Sequence, residues 1–147
     1  MPYFIYSQEE LHPKYSTPTV REIFDFIKPV FQELYVQHEC LVMMLIYIER
    51  LMKVTGVQIT PENWRPIVYS ALLIASKVWE DICISNIDFT WVYPCYPISS
   101  TNTLESLFAN SLHWCLYISP EEYSDYYFYL KSFNHSFEKK RVNMLNN

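Results

Sequence analysis

The chain has 147 residues, of which 50% are hydrophobic, 18% aromatic and 18% charged, and its formal net charge is −5. This composition excludes a disordered chain and supplies enough apolar surface for one folded domain. The acidic balance argues against a nucleic-acid-binding face, so we expect no nucleic-acid partner.

Two helices are predicted in the first third of the chain. Thr19 and Glu22 have the spacing of a capping box, just ahead of an apolar run with helical periodicity. Pro29 lies inside this run and predicts a kink or an early end, because proline lacks a backbone donor. The apolar stripe 41–52 predicts a second helix, and Gly56 is placed to help stop it.

The third helix is predicted to lie at the centre of the fold. Thr60 and Pro61 are typical of an N-cap and a first helical position, although Pro66 allows the helix to restart there. The segment 67–78 is apolar on nearly all sides, which is typical of a buried helix. One less apolar face is expected along it, at Pro66, Ser70, Leu73 and Lys77.

Three further helices are predicted in the second half of the chain. The segment 85–88 has the residues to open a short helix, and a fifth helix is expected over about 103–116. Ser119 and Glu122 form another capping box around Pro120, ahead of an aromatic run that reaches Phe133.

The predicted fold is therefore all-α, with five helices bundled around the third and an additional C-terminal helix. We expect residues 1–17 to be an N-terminal extension and residues 18–133 to hold the bundle and the following helix. Residues 134–147 are expected to be a polar, frayed tail.

The sequence contains few groups of residues with the spacing of a catalytic site. The adjacent carboxylates at 9–10, 80–81 and 121–122 point apart on a helix and are not acid–base dyads by spacing. The chain contains a single glycine, whereas phosphate-binding loops need several, so we expect no such loop. We therefore expect a protein that is not an enzyme, that needs no cofactor, and that acts through a surface.

The cysteine spacing predicts whether the chain binds a metal, and the hydropathy of the chain predicts where the protein is found in the cell. No C-x-x-C pair and no zinc-ligand spacing to a histidine occurs, so we expect no metal and four free, buried thiols. A pair of Cys115 with His113 is disfavoured, because residues two apart on a helix face away from each other. No signal-peptide pattern and no membrane-length apolar run is present, so we expect an intracellular protein, cytoplasmic or nuclear, without direct membrane insertion.

Several motifs in order resemble the cyclin box. They are YIERLM from Tyr47, LLIASKVWED from Leu72 and LESLFANSLHWCLYIS from Leu104. The run 23–133 is most similar to the cyclin Y subgroup, which shares the order of an ITPENW-like loop, ASKVWxD, an NIDF-like segment and a final YxxYYFxL helix. The resemblance implies a single five-helix cyclin box that binds and activates a cyclin-dependent serine/threonine kinase, with a PFTAIRE-type kinase as the expected partner.

The resemblance also assigns roles to individual residues. It implies that Lys77 and Glu105 form a pair that contacts backbone carbonyls near the αC helix of the kinase. It further implies that Leu73, Trp79 and Ala109 belong to the same kinase-binding surface. Apart from the resemblance, a lysine at this position is also explained by compensation of the dipole at a helix C-terminus.

A second pair implied by the resemblance is an internal brace between the first and second helices, formed here by Arg21 and Glu49. The chain departs from the subgroup elsewhere. Residue 2 is proline, so we expect no N-myristoylation, and we do not expect binding of 14-3-3 proteins through this chain.

Two other functions share the cyclin fold. A transcription-factor-B-type module uses the same helices on DNA, but it needs a basic face that this acidic chain does not suggest. A cyclin-fold adaptor without a kinase partner is the other alternative.

Overall fold

The structure is a computed structural model, and it describes residues 16–146. Within that range the chain is helical and contains no strand. The helices are α1 Val20–Glu33, α2 Glu39–Thr55, α3 Trp64–Trp79, α4 Asn86–Val92, α5 Ile98–Ser111 and α6 Pro120–Leu145. The prediction of an all-α fold with a helix after the fifth is confirmed. Most of the expected N-terminal extension, residues 1–15, lies outside the described residues.

Helices α1 and α2 begin and end largely where their capping residues predict. The Thr19 hydroxyl accepts from the backbone N–H of Glu22, and the Glu22 carboxylate accepts from the backbone N–H of Thr19. Gly56 ends α2 with a φ of 72° and donates its N–H to the carbonyl of Met52. The early end that Pro29 allowed does not occur, because α1 continues through it to Glu33.

Helix α3 begins between the two predicted start points. Its N-cap is Asn63, whose side-chain oxygen accepts from the backbone N–H of Thr60 and closes the preceding turn. Pro66 is the third residue of the helix, where its missing N–H costs no intrahelical bond. The turn 60–63 therefore precedes the helix, and Thr60 is not its N-cap.

Helix α3 is the buried centre of the bundle and packs mainly against α2 and α5. Tyr69 stacks on Tyr96 with ring centroids 4.3 Å apart, and its hydroxyl lies 2.8 Å from that of Thr101. On the predicted less apolar face, Pro66, Ser70 and Leu73 are buried, and of the four residues Lys77 alone reaches the surface. The Ser70 hydroxyl donates back to the carbonyl of Pro66, which lets a polar side chain lie in the core.

Helix α5 begins and ends earlier than predicted, and it ends without a glycine. His113 takes a left-handed φ of 52° and donates its N–H to the carbonyl of Asn110. The next N–H, of Trp114, bonds to the carbonyl of Ala109. This pair of bonds is a Schellman motif, in which a histidine takes the position that glycine usually holds. The helix therefore stops at Ser111, and residues 112–116 leave it.

The chain divides into two compact units, of which the first ends at Leu116 and the second begins at Tyr117. The second unit is built on α6, where the Ser119 hydroxyl accepts from the backbone N–H of Glu122 and Pro120 is the first helical residue. Helix α6 continues to Leu145, past residue 133 and into the residues that we expect to form a polar, frayed tail.

Candidate functional site

The last turn of α3 differs from the rest of that helix. Burial is continuous from Val68 to Ser76 and ends at Lys77, and the two residues that follow, Val78 and Trp79, are also exposed. The helix stops because Glu80 is extended, with a ψ of 135°. The motif LLIASKVWED therefore spans the point at which α3 leaves the core and reaches the surface.

An ion pair joins this turn to α5. The Nζ atom of Lys77 lies 2.6 Å from Oε1 of Glu105, and the two residues are 28 positions apart in the sequence. The side chains are 30% and 23% exposed, so the pair is half-buried but open to a partner. Such a pair is screened less than a fully exposed one, and its geometry is held by two different helices.

Two asparagines extend the ion pair into a network. The side-chain amide of Asn86, the first residue of α4, donates to Oε2 of Glu105 over 2.8 Å and to Oδ1 of Asn102 over 2.6 Å. Both carboxylate oxygens of Glu105 are therefore hydrogen-bonded, one by α3 and one by α4. The orientation of the carboxylate is thus fixed from two sides.

The position of Asn86 is set by the cap of α4. The Ser85 hydroxyl accepts from the backbone N–H of Asp88, and the Asp88 carboxylate accepts from the backbone N–H and the hydroxyl of Ser85. The hydrogen bond from the Ser85 backbone N–H, followed by that from its hydroxyl, lowers the pKa of Asp88. This capping box places the side chain of Asn86 against α5 as soon as the helix begins.

Trp79 and Glu80 tie the end of α3 to the α1–α2 connection. The Trp79 indole N–H donates to Oε1 of Gln37, and the backbone N–H of Gln37 donates to Oε1 of Glu80 over 2.6 Å. Beneath them, burial and the nearby carboxylates of Glu80 and Glu39 raise the pKa of the Cys40 thiol to about 12. Trp79 is 42% exposed, so it braces this region and also presents part of its ring to solvent.

Exposed apolar side chains lie close in sequence to the residues of this network. They lie on the last turn of α3, in the connection that follows and on α4, and they are Val78, Trp79, Ile82 and Ile87. Large apolar groups close in sequence to a half-buried ion pair are typical of a protein-binding surface.

Two of the predicted contact residues are core residues. Leu73 is 0% exposed and Ala109 is 1% exposed, and both face the interior of the bundle. Neither side chain reaches the surface of the bundle, so their assignment to a binding surface is corrected. The cause is that α3 and α5 pack on each other, which buries the faces that carry these two residues.

The structure does not bring Arg21 and Glu49 together. Arg21 lies 3.5 Å from Asp25 in its own helix, and Glu49 lies 3.0 Å from Lys53 in its own helix. Both are i, i+4 pairs on exposed helix faces, where the neighbour one turn away is the nearest opposite charge. The predicted internal brace is therefore wrong, and each residue forms a local surface pair instead.

Three sequence-based expectations concern metal ligands, free thiols and membrane-spanning helices. Among residues 16–146, no three His, Cys, Asp or Glu side chains are placed to hold a metal ion. The expectation of four buried thiols is wrong, because Cys40 is buried whereas Cys83 and Cys115 are exposed. None of the helices in this part of the chain has both the length and the hydropathy required to cross a membrane.

The sequence did not reveal Asn86 and Asn102 as members of the site. The capping-box spacing from Ser85 to Asp88 was a signal for the helix that carries Asn86. It contained no signal for the contact with Glu105, because that contact depends on how α4 approaches α5.

One comparison with known proteins identifies the family. The model of the N-terminal domain of cyclins matches residues 2–117, which include α1 to α5 and end at the boundary between the two compact units. The match covers well over half of the chain, so the chain belongs to the cyclin family. The six helices of residues 16–146 are consistent with a cyclin box followed by a C-terminal helix, and a cyclin-type regulatory role is the function that the family membership supports.

Proposed function

We propose that this cyclin is a regulatory subunit that binds a cyclin-dependent serine/threonine kinase at its αC helix and activates it. The observation that carries the proposal is the ion pair between Lys77 and Glu105, which bridges α3 and α5 at a half-buried, accessible position. The kinase-binding role of both residues follows from the resemblance to cyclins, and the geometry gives it a physical basis.

The chemistry of the pair suits recognition of backbone carbonyls. An ammonium group has three N–H donors, and Glu105 accepts one of those of Lys77. The remaining donors are available to carbonyl oxygens at the end of a partner helix, where the last turn leaves carbonyls without intrahelical bonds. Glu105 holds the ammonium in place, so less side-chain entropy is lost when the partner binds.

The exposed apolar side chains supply the contact area that the pair lacks. Val78 and Trp79 directly follow Lys77 on the last turn of α3, and Ile82 lies in the next connection. Burial of such groups provides most of the affinity of a protein interface, whereas a charged pair mainly fixes the register. A partner with an apolar helix and free terminal carbonyls therefore fits this surface.

Activation would follow from preferential binding to one conformation of the kinase. Kinase activity requires an ion pair between a strand lysine and the αC glutamate, together with a correctly placed magnesium-binding aspartate. A cyclin that binds the inward position of αC more tightly than the outward one shifts the population towards it by the difference between its affinities for the two states. No catalytic group on the cyclin is needed for this effect.

We also propose that the chain is a cyclin Y-type cyclin and that its partner is a PFTAIRE-type kinase. The support is the order of its motifs, from the ITPENW segment through ASKVWED and NIDF to the YSDYYFYL segment that forms the first turns of α6. Regulation of the cell cycle is a further expectation that follows from the cyclin family as a whole.

The proposal is tested with purified components. The chain is mixed with a panel of purified monomeric cyclin-dependent kinases that includes PFTAIRE-type members, and binding and peptide phosphorylation are measured. We expect saturable binding and activation by the wild type and their loss with Lys77→Ala. Lys53→Ala is the matched control, because it removes a lysine from an exposed pair on α2 and should behave as wild type. Wild-type protein that binds and activates no member of the panel contradicts the proposal.

The two alternatives give different results in the same experiments. An adaptor without a kinase partner would show neither binding nor activation in the panel. A transcription-factor-B-type module would retain duplex DNA on a filter at low salt, which the net charge of −5 does not favour.

A further inference from the structure

The orientation of the Asn86 amide is fixed by its two neighbours on α5. Its side-chain nitrogen faces two acceptors, Oε2 of Glu105 at 2.8 Å and Oδ1 of Asn102 at 2.6 Å. A flipped amide would set its own oxygen against both of them, so only the donor side can face α5. Both N–H groups of the amide are therefore used on α5.

The same orientation leaves an unsatisfied acceptor. Oδ1 of Asn86 is buried and accepts no hydrogen bond from the residues that the structure describes. A buried polar atom without a partner lowers stability, and each such exception calls for an explanation. The capping box of α4 does not supply that explanation, because it is made by Ser85 and Asp88. What the Asn86 side chain does contribute is its pair of hydrogen bonds to α5.

We propose that Asn86 is a positioning residue of the binding surface, which holds the carboxylate of Glu105 so that Glu105 holds Lys77 towards the partner. The inference rests on the proposed function and names a residue that acts within it. Without Asn86 the carboxylate keeps one anchored oxygen and rotates about it. Lys77 then samples several orientations, so conformational entropy is lost when the partner binds and orders its side chain.

The first test needs no kinase. Surface lysines are acetylated with limiting acetic anhydride, and the rate at Lys77 is measured by mass spectrometry relative to Lys53 in the same molecule. We expect Asn86→Ala to raise the relative rate at Lys77 by about two- to fivefold, the range expected when a partly exposed ion pair is loosened. An unchanged rate overturns the proposal, whichever partner the protein has.

The second test measures affinity for the kinase that the wild type binds. We expect Asn86→Ala to weaken binding by about tenfold, because the partner must then order both the Glu105 carboxylate and the Lys77 side chain when it binds. In a Lys77→Ala background the same change should have almost no further effect, since Asn86 acts through Lys77. Equal effects in the two backgrounds, or wild-type affinity in Asn86→Ala, overturn the proposal.

A matched pair of charge substitutions separates positioning from general electrostatics. Asn86→Asp sets a carboxylate against Glu105 and should weaken binding more than Asn86→Ala does. Asn102→Asp adds the same charge but keeps an acceptor for the amide of Asn86, so its affinity should stay within about threefold of wild type. Similar losses in both variants would mean that charge alone is responsible and would overturn the proposal.

Stability measurements exclude loss of folding as the cause. Asn86→Ala removes two hydrogen bonds to α5 together with the unsatisfied Oδ1, and it keeps the Ser85–Asp88 cap, so its urea midpoint should stay close to that of wild type. A lower midpoint that accounts for the weaker binding overturns the proposal. If the lysine becomes more reactive as expected but the wild type binds no kinase, the proposed function fails while the positioning of Lys77 by Asn86 stands.

Discussion

The body of α3 and its last turn lie one residue apart and have opposite surroundings. From Val68 to Ser76 every side chain is buried, whereas the Lys77 side chain is half-buried and Val78 and Trp79 are exposed. In the body, Tyr69 and its neighbours pack in the centre of the first unit; in the last turn, Lys77 turns to Glu105 on another helix. The difference shows that one continuous helix can form the core with one part and present charged and apolar side chains at the surface with the next.

The largest effect is expected in the body of the helix. Leu73→Ala removes a fully buried side chain and should lower the free energy of unfolding by about 2–5 kcal/mol, because it leaves a cavity between helices. Urea unfolding followed by circular dichroism measures this loss. Val78→Ala, in the last turn, is the control and should cost about 0.5 kcal/mol or less. A small loss for Leu73→Ala would place this residue outside the core and would remove the contrast.

A smaller effect is expected from a polar group inside the core. Tyr69→Phe removes a hydroxyl that lies 2.8 Å from that of Thr101, and it should cost about 1 kcal/mol. Burial also raises the pKa of Tyr69 to about 12, so the folded state disfavours the phenolate. The stability due to this shift is fully present below about pH 10, the ordinary pKa of tyrosine, and is lost as the pH rises towards 12.

The measurement for Tyr69 is the free energy of unfolding between about pH 9 and 12. We expect the wild type to lose more stability over this range than Tyr69→Phe does. Parallel pH profiles for the two proteins would contradict the buried environment of the phenol.

The cap of α4 is expected to contribute about as much as the Tyr69 hydroxyl, but at the surface. Ser85→Ala should lower the free energy of unfolding by about 1 kcal/mol, because it leaves the backbone N–H of Asp88 without its acceptor. It should also weaken partner binding, since Asn86 begins this helix. Thr103→Ala on α5 is a control that removes a hydroxyl bonded within its own helix. A binding loss of the same size in the control would contradict a specific role of the cap.

The smallest effect on stability is expected at Glu49. A buried pair with Arg21 would make Glu49→Ala cost about 3–5 kcal/mol, since one charge would be left unpaired. The structure pairs Glu49 with Lys53 on an exposed face instead, and we therefore expect a loss of about 0.5 kcal/mol or less in urea. A loss of several kcal/mol would restore the idea of an internal brace.

Much of the fold could be predicted from the sequence because its signals are local. The capping box at Thr19, the stop at Gly56 and the proline start at Pro120 each depend on neighbouring residues and appear in the structure as expected. The end of α5 could not be predicted in this way. A histidine takes the left-handed position there, and nothing in its residue type indicates a helix stop.

The site was only partly accessible to sequence reasoning. The resemblance pointed to Lys77 and Glu105, which the structure joins in an ion pair. It also pointed to Leu73 and Ala109, which are buried, because residues on the inner and outer faces of a helix lie next to each other in a motif. The contribution of Asn86 depends on the tertiary approach of α4 to α5, which has no local signature.

The most direct test of the account is a double-mutant cycle on Lys77 and Glu105, with unfolding and kinase affinity measured on the same preparations. We expect each single change to shift the free energy of unfolding by about 0.5 kcal/mol or less. Each should weaken kinase binding by about 2 kcal/mol or more, roughly thirtyfold, and the two losses should not add, since the residues form one contact network. Unfolding of either variant, kinase binding as tight as wild type, or fully additive losses would contradict the claim that this pair serves binding and not the fold.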